Sequence, residues 1–262
     1  MKANHRKIPF IIIHGLLVLG LSGITVFISI RQAIPTYFNT RPLEHATPPF
    51  SMVPTLLHII LSFVGMVPSL YLPDTSRNEI ERRLLPPLFI TITAIDISVV
   101  ATFMFLTGVG SIGFTAIGRI HLFSILFSST ILLLIGLFHI GINTGKLLQF
   151  TLLSASGCLL IASLVPLSVA MYPMETSKWY ADRQFLWVPA IMGIVSIINY
   201  ISLYMREQTQ HNLFRSVSFT CIIMGNILYL TKFNAFFLWL GIALYGIGIF
   251  VGIPRGRFSQ LE

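Results

Sequence analysis

Eight runs of about 20 mostly apolar residues, parted by short polar segments, divide the chain from end to end. They fall at about residues 8–30, 52–71, 87–107, 120–141, 148–171, 185–205, 214–231 and 234–253. Each is about the length a helix needs to cross a hydrocarbon layer of roughly 30 Å. The pattern predicts an all-α fold, a polytopic transmembrane helix bundle in which residues 1–262 form one domain. Only Lys232 and Phe233 separate the last two runs, so 214–253 reads as two spans or as one broken one. The first run follows Lys2, Arg6 and Lys7, as a signal peptide would. It ends in Ile30-Arg31-Gln32 without a small-residue cleavage site, and is expected to stay as the first span.

Composition agrees. Of 262 residues, 55% are hydrophobic and only 10% charged, with a mean hydropathy of +0.83. A chain this poor in charge cannot cover a water-facing surface, which excludes a soluble enzyme and a disordered regulator. The net charge of +8 comes from basic residues scattered among the loops, as the positive-inside effect requires, and nucleic acid is not an expected partner. Counting Lys and Arg on alternate sides gives 11 against 6, which predicts that both termini are cytoplasmic. Cys158 and Cys221 lie in apolar runs, where a thiol behaves as a small hydrophobe. The segment Arg77–Arg83 reads as a solvated cytoplasmic turn touching anionic headgroups.

An acid inside a span is costly and therefore a functional candidate. Asp96 is the one such acid, in the middle of the third span. Two polar stripes at helical spacing are expected to approach it: Thr55, His58 and Ser62 on the second span, and His121, Ser124 and Ser128 on the fourth. At ~1.5 Å per residue, His58 lies roughly 9 Å and Asp96 roughly 17 Å below the outer edge, with His121 close to it. The polar path would descend from the outer side, with Glu175, Trp179, Asp182 and Arg183 of the loop 172–184 above its mouth. Structural glue is the alternative role, because a neutral carboxylic acid bonded to a histidine also ties helices together. His14 and His139 read as ordinary core or interfacial residues.

No metal or other cofactor is expected. Ser51, His58 and Asp96 superficially resemble the first part of the site in alkaline ceramidase-type hydrolases, but the His-x-x-x-His pair near the C-terminus is missing. Zinc needs three or four ligands that the sequence does not supply. Gly108-Val-Gly110-Ser-Ile-Gly113 matches the dinucleotide fingerprint in letters only, since it lies between two spans rather than after a strand. Gly248 and Gly252 have the spacing for close helix packing, expected to be used within the molecule rather than between copies.

Short motifs over residues 8–207 resemble the DRAM/Sfk family of six-span membrane proteins. They are Ala46-Thr47-Pro48-Pro49-Phe50 before the second span, Ile120-His121 at the fourth, Met174-Glu175-Thr176-Ser177-Lys178-Trp179 before the sixth, and Tyr200, Tyr204, Arg206 and Glu207 at its end. The chain departs from the family at Thr40–His45 and in having two further spans. The resemblance implies a non-enzymatic, lipid-related or membrane-trafficking role. Membrane lipids are then the expected partners, and proteins could engage through the outer loops 31–51 and 172–184. Asp96 and His58 support a different reading, a small proton-coupled transporter or channel. A third is a membrane-embedded lipid hydrolase or transferase acting through His121, Glu175 and Asp182.

Overall fold

The computed structural model describes residues 8–33, 52–70, 79–107, 112–141, 144–165, 187–231 and 235–252. Among them every long element is an α-helix: α1 (Ile8–Ala33), α2 (Met52–Ser69), α3 (Glu79–Ile95), α4 (Ser98–Thr107), α5 (Ile112–Ile140), α6 (Leu147–Leu164), α7 (Trp187–Arg206), α8 (Gln210–Thr231) and α9 (Ala235–Gly252). A 3₁₀ turn at Thr144–Lys146 leads into α6. Eight helical stretches are long and apolar enough to cross a membrane, with α3 and α4 together making the third. Residues 210–252 therefore form two helices.

The helices differ in how much of their surface the bundle covers. Over an 18-residue stretch of each, 72% and 67% of the residues are buried in the third and fourth spans, against 22% and 17% in α1 and α6. Chains without charges on an exposed face belong in lipid, and Leu16, Leu19, Leu152, Leu153 and Leu164 are among the residues that α1 and α6 leave exposed. The core runs through Leu88 and Ile92 of α3, Leu126, Ile131 and Ile135 of α5, and Phe219 and Ile223 of α8.

α8 and α9 pack more closely than any other pair, and glycine is the reason. A Cβ on Gly225 would lie 2.5 Å from the Tyr245 nitrogen and 2.7 Å from the Gly241 carbonyl oxygen. One on Gly241 would lie 2.7 Å from the Tyr229 nitrogen, and one on Gly248 would lie 2.7 Å from the Ser218 oxygen. The backbones meet without side chains between them, and Ser218 Oγ donates to the Gly248 carbonyl at 2.6 Å. Gly248 and Gly252 thus serve packing within the molecule, both facing Ser218. This contact fixes the positions of Tyr229 and Tyr245.

Two expectations are corrected here. The third span opens at Glu79, not at 87, so Glu79–Arg83 is the first turn of α3 rather than a loop. Glu81 within it is buried, 8% exposed, and not solvated. The fourth span also begins earlier than expected, at Ile112, so Gly113 is helical and packs on the Met104 side chain rather than sitting in a turn.

Candidate functional site

The third span breaks at its acid. Between α3 and α4 the ladder shortens to three-residue steps: Asp96 N–H to Thr93 O, Ile97 to Ala94, Val99 to Asp96 and Val100 to Ile97. Neither proline nor glycine lies between Thr93 and Ser98. The shortened bonds leave the Ile95 carbonyl without its usual i+4 donor, and His121 of α5 supplies one through Nδ1–H at 2.6 Å. A side chain inserted into the ladder is a recognised cause of such an interruption. His121→Ala should leave that buried carbonyl unpaired and cost about 1–3 kcal/mol. Thermal unfolding in detergent would measure the loss, and an unchanged midpoint would show that His121 has no such role.

The break turns Asp96 toward two other helices. His58 Nδ1 of α2 lies 2.7 Å from Asp96 Oδ2, and the Tyr229 hydroxyl of α8 donates to Oδ1 at 2.5 Å. On its other side His58 Nε2 lies 3.2 Å from Asn226 Oδ1. Thr55 Oγ1 is 3.3 Å from the Tyr229 hydroxyl. The imidazole stacks on Tyr229 at 4.1 Å between centroids and tilts against Tyr245 at 4.9 Å. Ser62 Oγ donates to the His58 carbonyl at 2.8 Å, so the Tyr245 hydroxyl, 2.8 Å away, donates to Ser62. His58 and Ser62 are 0% exposed and Asp96 1%.

These bonds set the proton count. With a carbonyl oxygen facing Nε2, that nitrogen must carry a hydrogen. One further proton then lies between Nδ1 and Oδ2, whether written as imidazole with carboxylic acid or as imidazolium with carboxylate. Either form is neutral overall.

Of the residues expected at this site, Asp96 and His58 meet directly. Ser62 joins them through Tyr245, and His121 reaches the neighbouring carbonyl of Ile95. Ser124 does not reach the acid; its hydroxyl bonds back to the Ile120 carbonyl at 2.7 Å. Thr93 turns away to His14 Nε2 at 2.7 Å, and Nδ1 of that histidine lies 2.8 Å from the Met66 sulfur. His14 is therefore a bonded tie between α1, α2 and α3. Glu175, Trp179, Asp182 and Arg183 lie outside the described residues, as does most of the loop 31–51. Helical spacing also places Asn226 and Tyr229 three residues apart on one face of α8, a polar pair inside the seventh apolar run.

A second polar cluster lies at the other end of α3. Glu81 Oε1 accepts from Arg215 Nε of α8 at 2.6 Å and from His139 Nε2 of α5 at 3.3 Å, with all three side chains at least 90% buried. α5 ends just beyond His139 at Gly141, whose φ of +122° suits only glycine. A cavity of about 20 Å³, room for one water, lies between α5, α7 and α8 beside Ser128, Ser129 and Asn226. Among the described residues no group of three His, Cys, Asp or Glu is arranged to hold a metal ion. Comparison with protein-family models, curated proteins and solved structures gives no match.

Proposed function

We propose that the protein is a small proton-coupled transporter or channel whose proton-binding centre is Asp96 with His58. The observation that carries this reading is a wholly buried acid–histidine pair seated at the break of a membrane-spanning helix. Ionisable groups held inside a membrane bundle typically serve ion or proton pathways, and transporters bind ions where spans are discontinuous. Tyr229 and Asn226 supply a donor and an acceptor that keep the pair neutral while closed. Loading and unloading one proton then changes the buried charge, and a change of charge favours opening to water. With both termini cytoplasmic, as the Lys and Arg bias suggests, the break would lie in the outer half of the bundle.

Proteoliposomes loaded with pyranine and given a potassium–valinomycin potential test this. Amino acids, sugars, nucleosides and organic cations would be supplied as separate pools. Solute-dependent proton entry is expected, and Asp96→Asn should abolish it while eluting as a folded protein. Proton entry that is equal in the wild type and Asp96→Asn would contradict the reading.

One observation favours a second reading. Asp96 is sealed and its bonds are met inside the bundle, as structural glue requires. The protein would then be a non-enzymatic membrane component with the lipid-related or trafficking role that the DRAM/Sfk resemblance implies. Under this reading no proton entry occurs with any solute, and Asp96→Asn lowers stability alone.

A further inference from the structure

At the end of the bundle where α3 and α8 begin, three ionisable side chains from three spans converge on one oxygen. Arg215 Nε and His139 Nε2 both reach Glu81 Oε1, at 2.6 and 3.3 Å. Arg215 Nη2 is buried and has no acceptor among the described residues. A structural ion pair would be expected to satisfy both faces of the guanidinium, since a buried unpaired donor is costly. This cluster instead has two donors sharing one acceptor atom and a spare donor beside it.

The three groups are not equivalent. Guanidinium does not give up its proton in proteins, so Arg215 is a fixed positive charge beside Glu81. Histidine is the member able to exchange a proton. We propose that His139, paired with Glu81, is a second proton-binding site. It is the counterpart, at the opposite end of α3, of the Asp96–His58 centre, and its role in transport rests on the function proposed above. From Glu81 to Asp96 is fifteen residues, about 22 Å of helix.

The surroundings suit a site that changes charge. Protonated His139 makes a second cation on Glu81 Oε1 and competes with Arg215 for it. Other polar groups lie close by, among them His211, one turn before Arg215 on α8. The Tyr200 hydroxyl of α7 donates to the Leu132 carbonyl at 3.3 Å, and Ser216, next to Arg215, donates to the Tyr200 carbonyl at 2.7 Å. Arg206 Nη1 reaches the Ile140 carbonyl at 3.4 Å, one residue from His139. Proton uptake therefore loosens the contact of α8 with α3 at this end, while the Asp96 centre ties the same two spans at the other.

Two measurements test the proposal. Protein with ¹⁵N-labelled histidine in nanodiscs is titrated by NMR, with the His139 signal identified by its loss in His139→Gln. His139 is expected to pass from imidazole to imidazolium in the folded protein, and Glu81→Gln should move the midpoint to lower pH. Asp96→Asn should leave the midpoint unmoved. In the pyranine assay, His139→Gln should slow proton entry several-fold and flatten its pH dependence. A His139 signal that never titrates, or a midpoint indifferent to Glu81→Gln, overturns the second site. Proton entry unchanged in His139→Gln while Asp96→Asn abolishes it removes the transport role and leaves the Asp96 centre standing. Titration as expected without proton entry in the wild type overturns the function proposed above but not the proton site.

Discussion

Replacing Arg215 by glutamine is expected to destabilise the protein by about 3–5 kcal/mol, because Glu81 would keep a buried charge with its strongest partner gone. Such a loss is a large share of the roughly 5–15 kcal/mol that keeps a protein folded. The double variant Glu81→Gln with Arg215→Gln should recover most of it, since removing both members of a buried pair costs far less than removing one. Heating purified protein in detergent and measuring the fraction that still elutes as a monodisperse peak gives the comparison. A double variant as unstable as the single one would show that Arg215 acts by packing and not by charge.

Gly225→Ala is the second large effect. The added methyl would lie 2.5 Å from a backbone nitrogen and 2.7 Å from a carbonyl oxygen of α9, neither of which can rotate aside. The helices must separate. Overpacking a dense core costs about 1–3 kcal/mol where side chains can adjust, and backbone contacts place this substitution at the upper end or above. Separation also moves Tyr229 and Tyr245 away from His58, so the proton centre fails together with the packing. Gly20→Ala is the internal control, because among the described residues nothing beyond its own stretch of helix lies within 4 Å of a Cβ there. Equal thermal stability of the two variants in the same detergent would contradict this account of the α8–α9 contact.

What could be read from the sequence divides along physical lines. Span number follows from apolar length, which is a local property, and the eight runs reappear as eight span-length helical stretches. Span ends were less legible. Glu79, Glu81, Arg82 and Arg83 look like a solvated turn because charge is averaged along the chain, whereas Glu81 alone turns inward to Arg215. Helical polarity continues through such a segment whenever the partner lies on another span, and that partner is 134 residues away. The same limit applies to Asp96. Its pairing with His58 could be expected from a lone acid and a polar stripe on the preceding span. Tyr229, Asn226 and Tyr245 could not be assigned to it by order along the chain, because α8 and α9 reach α2 and α3 only through the folded bundle. The break at Asp96 was also hidden, since no proline or glycine marks it and the donor that sustains it, His121, lies 26 residues from Ile95.

Two polar clusters among the described residues thus each combine an acid of the third span, a histidine of another span and a partner from α8. The glycine contact between α8 and α9 carries the aromatic groups that enclose His58. In the proposed transport function, Asp96 takes and releases a proton with His58, its partner at 2.7 Å. Infrared difference spectroscopy of the protein in nanodiscs, stepped between acid and alkaline pH, reads this most directly. The account predicts a carboxyl band that changes with pH together with an imidazole band, both absent in Asp96→Asn and the carboxyl band displaced in His58→Gln. Spectra in which Asp96→Asn removes no pH-dependent band would contradict it, and Asp96 would then be a packing group.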